Sequence, residues 1–92
     1  MATLTELLAD PKRELVIRRR QVAMEFGLEI EQIMARNKLK PSELALRLGK
    51  SPAWVSQLLQ GSRHLTLLTA VEVADALDCD VELHLARRSP SP

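Results

Sequence analysis

Residues 41–61 read PSELALRLGKSPAWVSQLLQG, and the punctuation of that stretch decides the fold. Pro41 suits the first position of a helix, where its missing N–H would be unsatisfied anyway and its φ is already near helical. Leu44, Ala45 and Leu48 then recur at helical spacing. Gly49 ends the run, since a left-handed residue costs glycine little. Ser51 and Pro52 restart it as N-cap and first turn. Val55, Leu58 and Leu59 carry the apolar stripe of the second helix, and Gly61 closes it. Two helices of about eight residues joined by so short a glycine turn must cross steeply.

Composition bounds what surrounds this pair. The chain has 92 residues, 46% of them apolar, enough for one domain with a modest core. A domain of this size buries only about 60–65% of its unfolded surface, so dimerisation would add useful stability. Phe26 and Trp54 are the only aromatic residues, which leaves aliphatic side chains to fill an all-α body. No apolar run approaches the ~20 residues that span a bilayer, and no secretory leader pattern occurs, so a cytoplasmic protein without a membrane partner is expected. A single cysteine, Cys79, excludes an internal disulfide and fits a reducing compartment. His64, His84 and Cys79 show no metal-ligand spacing, and there is no glycine-rich phosphate loop. No cofactor, metal or catalytic constellation is expected, and the chain does not read as an enzyme.

The net charge of +1 says little, but its distribution says more. From Arg36 to Arg63 six basic residues face Glu43 alone, whereas from Glu72 to Glu82 there are five acids and no base. Such a dipolar molecule steers one face toward phosphates and holds the other away.

The 41–61 segment resembles the helix-turn-helix of the phage repressor and Cro (Xre-like) proteins, with Ala45, Gly49, Val55 and Leu58 on its packing positions. The resemblance covers roughly residues 24–78 and implies a lambda-repressor-like bundle of four to five helices that binds double-stranded DNA. It also implies that Leu39 is buried between the first helices. The family usually has glycine after the position of Leu77, where this chain has Asp78, a residue that tolerates a left-handed conformation better than most.

The flanks extend this minimal fold. Residues 1–22 form an N-terminal helical extension, residues 23–78 the DNA-binding domain, residues 79–88 a C-terminal strand and residues 89–92 a solvated tail. Residues 2–9 make a short amphipathic piece with Thr3 or Thr5 as cap and Leu4, Leu7 and Leu8 as its apolar side. Pro11 interrupts it. From Lys12 the pattern runs either as one long helix to about Arg36 or as two helices meeting near Gly27, a residue that costs ~1 kcal/mol inside a helix. After a loop at Arg63 and His64, Thr66 caps a further helix whose apolar face is expected at Leu67, Leu68, Val71, Ala74 and Leu77. Val81, Leu83 and Leu85 alternate with polar residues, a strand signature without a second strand in the chain. The simplest partner is the same strand of another copy, in an antiparallel ribbon about a two-fold axis that makes a homodimer. Similar strands occur in helix-turn-helix antitoxins of the HipB kind, so the resemblance points to an antitoxin of the HigA or HipB kind.

A helix-turn-helix places its second helix in the major groove and its first across the backbone. Pro52, Ala53, Ser56 and Gln57 point away from Val55 and Leu58 and are the candidate base contacts. Gln57 is the best reader, because a glutamine bonds adenine N6 and N7 together. Pro52 and Ala53 offer only apolar contact, so DNA shape should supply part of the specificity. Backbone contacts are expected from Lys38, Lys40, Ser42, Lys50, Ser51, Trp54, Ser62, Arg63 and His64. For Trp54 a core-edge position is an equal and compatible reading, and each of the charges is as readily an ordinary solvated one. Arg47 points away from the link into Pro41. The cluster Arg18–Arg20 either reaches flanking DNA, pairs with the acids of residues 72–82 within the chain or across a dimer, or binds an acidic partner; the pairing is the expectation favoured.

The function expected is sequence-specific repression at a pseudo-palindromic operator. The small size, missing effector domain and appended strand suggest an antitoxin that autoregulates its operon, with a toxin protein as further partner. The alternatives are a free-standing Xre-like regulator, or a protein-interaction module that has lost DNA binding.

Overall fold

A computed structural model describes residues 11–88, which contain four α-helices: α1 (Pro11–Arg36), α2 (Pro41–Leu48), α3 (Pro52–Leu59) and α4 (Leu67–Ala76). The amphipathic piece at residues 2–9 and the tail at 89–92 lie outside the described residues.

The first helix is unbroken, which settles the alternative at Gly27. It runs for 26 residues, about 39 Å at the α-helical rise. Gly27 is buried because α1 meets the end of α3 there, backbone to backbone. A Cβ at Gly27 would stand 2.9 Å from the Leu59 carbonyl carbon and nearer still to its oxygen. The helix therefore accepts the propensity cost of glycine in return for close approach. Arg36 occupies the last turn, where a cation suits the helix dipole. The chain then turns through Lys38 at φ 53°, with the Leu39 N–H donating to the Met34 carbonyl at 2.8 Å. This closure folds Leu39, half-buried, against the core.

The central pair forms as its punctuation predicts. Pro41 opens α2, and the Glu43 carboxylate accepts the Lys40 N–H at 3.1 Å. Gly49 ends α2 at φ 65°, and the Lys50 N–H donates to the Ala45 carbonyl at 2.9 Å. Ser51 caps α3, its Oγ accepting the Trp54 N–H at 3.1 Å, a bond whose loss costs about 1 kcal/mol. Gly61 closes α3 at φ 70° and packs so tightly on α1 that a Cβ would lie 2.8 Å from the Met24 nitrogen. Thr66 caps α4, accepting the Thr69 N–H at 3.2 Å. Asp78 adopts φ 56°, a left-handed conformation that aspartate tolerates better than most residues.

α3 packs between α1 and α2, and α4 packs on α2. Ile30, Met34, Leu44, Ala45, Val55, Leu58, Val73 and Leu77 form one buried cluster. Leu44, Val55 and Val73 are wholly excluded from solvent, a contribution of about 1.5–3 kcal/mol each. Phe26 and Trp54 sit at its margin.

The burial of α4 corrects one expectation. Its inner face is Ala70, Val73, Ala74 and Leu77, while Leu67, Leu68 and Val71 are 64%, 70% and 54% exposed. The sequence carries two overlapping apolar stripes on this helix. Ala74 and Leu77 of the expected face are buried, and Ala70 and Val73 join them in place of Leu67, Leu68 and Val71. Arg47 joins the same contact, donating to the Ala76 carbonyl at 2.9 Å at the end of α4. It serves the fold there, and it also lines a shallow pocket with Arg36 and Asn37, beside the link from which it was expected to point away.

Residues 79–88 have no regular secondary structure in the single chain. Cys79 and Val81 are half-buried, whereas Leu83 and Leu85 are open to solvent.

Candidate nucleic-acid interface

The outer face of α3 follows from the inner one. Because Val55 and Leu58 are buried, Pro52, Ala53, Ser56 and Gln57 are turned outward, and all four are exposed. Gln60 continues the same face one turn after Ser56, and its Nε2 donates to the Ser56 Oγ at 3.5 Å. The expected base contacts leave out Gln60, although its spacing of four from Ser56 already put it in line. Its amide lengthens an otherwise short polar strip.

Four side chains meet at one end of this face. The Arg63 Nη1 donates to the Gln57 Oε1 at 2.8 Å. The same guanidinium lies 5.0 Å from the centroid of the Trp54 ring, and the Lys50 Nζ lies 5.6 Å from it. Two cations thus share one indole, an arrangement worth about 0.5–1 kcal/mol per contact at an exposed site. The Ser62 Oγ donates to the Gln57 main-chain carbonyl at 3.1 Å, which fastens the loop carrying Arg63 to the end of α3. Trp54 is half-buried, so it both packs on the core cluster and presents a face to the cations.

The remaining expected backbone contacts are exposed but separate. Lys38 and Lys40 sit on the link between α1 and α2, and Ser42 is in the first turn of α2. No recorded hydrogen bond or ion pair ties them to the Trp54 cluster. Ser51 is committed as acceptor to its own helix, leaving its hydroxyl hydrogen as the donor for an anion. His64 follows Arg63 and lines a groove with Arg18, Arg19 and Arg20 of α1. No ion pair joins those arginines to the acids of residues 72–82 in the single chain: Arg18 pairs instead with Glu14, one turn away.

A helix-turn-helix family model, HTH_3, matches residues 30–83, more than half of the chain. The protein belongs to this Xre-like helix-turn-helix family. No curated protein and no solved structure matches it. The family is one of DNA-binding regulators, and the geometry of α2 and α3 is that of its motif. The match begins within α1, at Ile30, so nearly three-quarters of that helix, including Arg18–Arg20, lies outside it. Among the described residues no group of histidines, cysteines or acids is placed to hold a metal ion, and no helix is long and apolar enough to cross a membrane.

Proposed function

We propose that this protein is a sequence-specific double-stranded DNA-binding repressor that reads its operator with α3 and acts as a homodimer. The observation that carries the proposal is the cluster of Gln57, Arg63, Trp54 and Lys50 on the exposed side of α3. It joins a group able to pair with a base edge to groups able to grip phosphates, which is the division of labour DNA recognition requires. Pro52, Ala53, Ser56 and Gln57 take the base contacts. Lys38, Lys40, Ser42, Lys50, Ser51, Trp54, Ser62, Arg63 and His64 take the backbone.

Dimerisation is assigned to residues 79–88. Leu83 and Leu85 stand exposed on a segment whose backbone has no partner strand among the described residues, and Val81 continues their alternation. Pairing the segment with its copy gives the two-fold symmetry that a pseudo-palindrome matches, with half-sites about one helical turn apart.

Within this role the protein is proposed to be the antitoxin of its own operon. Support comes from the surface it leaves open: Leu67, Leu68 and Val71 on α4 are exposed aliphatic side chains suited to a protein partner. Gel retardation of the DNA upstream of its own gene, at low salt, tests the repressor reading. Absence of any shift sinks it in favour of a protein-interaction module. Co-purification with the product of an adjacent reading frame separates antitoxin from free-standing regulator.

A further inference from the structure

A groove of about 610 Å³ lies between the N-terminal half of α1 and the loop after α3. Its walls carry Arg18, Arg19, Arg20, Arg63 and His64, over a floor of aliphatic side chains, and no acidic residue lines it. We propose that this groove is a second DNA-contacting surface, which holds the sugar–phosphate backbone outside the half-site read by α3. The inference rests on the repressor reading above and adds a segment of α1 that precedes the family match.

Two observations point to a polyanion. The first is continuity. Arg63 belongs both to this groove and to the Trp54 cluster, so the cations form one path from Lys50, over Trp54, through Arg63 to Arg18–Arg20. DNA gripped at Lys50 and Arg63 is therefore led along the groove. The second is availability. Arg19 and Arg20 are exposed and make no ion pair with any described residue, and only Arg18 is engaged, by Glu14. Unpaired guanidiniums facing a further arginine repel one another until an anion enters between them. A phosphate accepts two parallel N–H bonds from each guanidinium, so the backbone is the ligand this wall fits.

The aliphatic floor, Leu15, Val16, Val22 and Leu65, would also suit an acidic amphipathic segment of a protein. That occupant predicts a different result in the same experiment. Hydroxyl-radical footprinting on the DNA upstream of the gene is run with the full chain and with the double variant Arg19→Ala, Arg20→Ala. The wild type is expected to protect sugars beyond the α3 half-site, and the variant to lose only those outer protections. The slope of log affinity against log salt is expected to fall by about 1.8, two phosphates at 0.9 each. Arg19→Lys with Arg20→Lys should restore most of the slope. Circular dichroism of all variants should match the wild type, because both positions are exposed on a helix. Outer protections and slope unchanged in the alanine variant overturn the proposal and leave the groove to an acidic protein segment. A wild type that protects only the α3 half-site also overturns it while leaving the repressor reading intact. Absence of any footprint removes both.

Discussion

The Arg63 guanidinium donates to the Gln57 side-chain oxygen at 2.8 Å, so the residue proposed to read bases is held in the unbound protein by the residue proposed to grip phosphate. A glutamine that reads adenine uses its oxygen to accept from N6 and its amide to donate to N7. On the proposed reading Arg63 releases that oxygen when DNA is bound, and a phosphate is the natural exchange partner for its guanidinium. Gln57→Ala is expected to cost about 1–3 kcal/mol of specific affinity and leave non-specific binding nearly unchanged. Arg63→Met should do the reverse, lowering the salt slope by about 0.9 with base preference kept. Titrations against operator and random duplex measure both. Equal losses in both affinities for Gln57→Ala would remove it as a reader.

Gly27→Ala places a methyl group on the Leu59 carbonyl. On an exposed helix the change gains about 1 kcal/mol in propensity. Here it is expected to destabilise the fold, with overpacking costing about 1–3 kcal/mol. Urea denaturation gives the sign directly, and a Gly27→Ala variant more stable than wild type would show that α1 and α3 separate easily.

Lys38 holds a left-handed conformation that costs an L-residue roughly 1–2 kcal/mol. Lys38→Gly should raise the melting temperature while weakening DNA binding through the lost charge. Asp78→Gly, at φ 56°, should gain less, because aspartate suffers less there. Thermal melting and gel retardation on the same samples separate the two effects. A Lys38→Gly protein that melts lower refutes the strain assigned to the turn.

Leu83→Pro removes a ladder N–H from an exposed, non-helical segment and should leave the single-chain fold untouched. Sedimentation is expected to move from dimer to monomer. A variant that still sediments as a dimer moves the interface away from residues 79–88, with exposed Leu67, Leu68 and Val71 the next surface to mutate.

Local chemistry made the centre of the fold legible from sequence. Pro41, Gly49, Ser51, Pro52, Gly61 and Thr66 each carry a backbone preference, and each does in the structure what that preference dictates. Asp78 was legible only against the family pattern. Tertiary choices were less so. On α4, two stripes satisfy the same periodicity, and periodicity alone does not say that Ala70 and Val73 turn inward while Leu67, Leu68 and Val71 stay exposed. At Gly27, helix propensity suggests a break, whereas the Leu59 carbonyl requires that the side chain be absent. The link from Arg63 to Gln57 and Trp54 spans a turn whose path no spacing rule fixes. Gln60, in contrast, was within reach of simple helical counting.

The contact of Gly27 with the Leu59 carbonyl involves main-chain atoms on one side and a missing side chain on the other. No residue of the exposed face of α3 takes part in it. Mutation is therefore free to rewrite Ser56, Gln57 or Gln60 without tilting α3 against α1. A lineage descended from this protein could change which operator it recognises while inheriting the same angle of approach. Vocabulary and posture are encoded by separate atoms, and only the first is exposed to easy change.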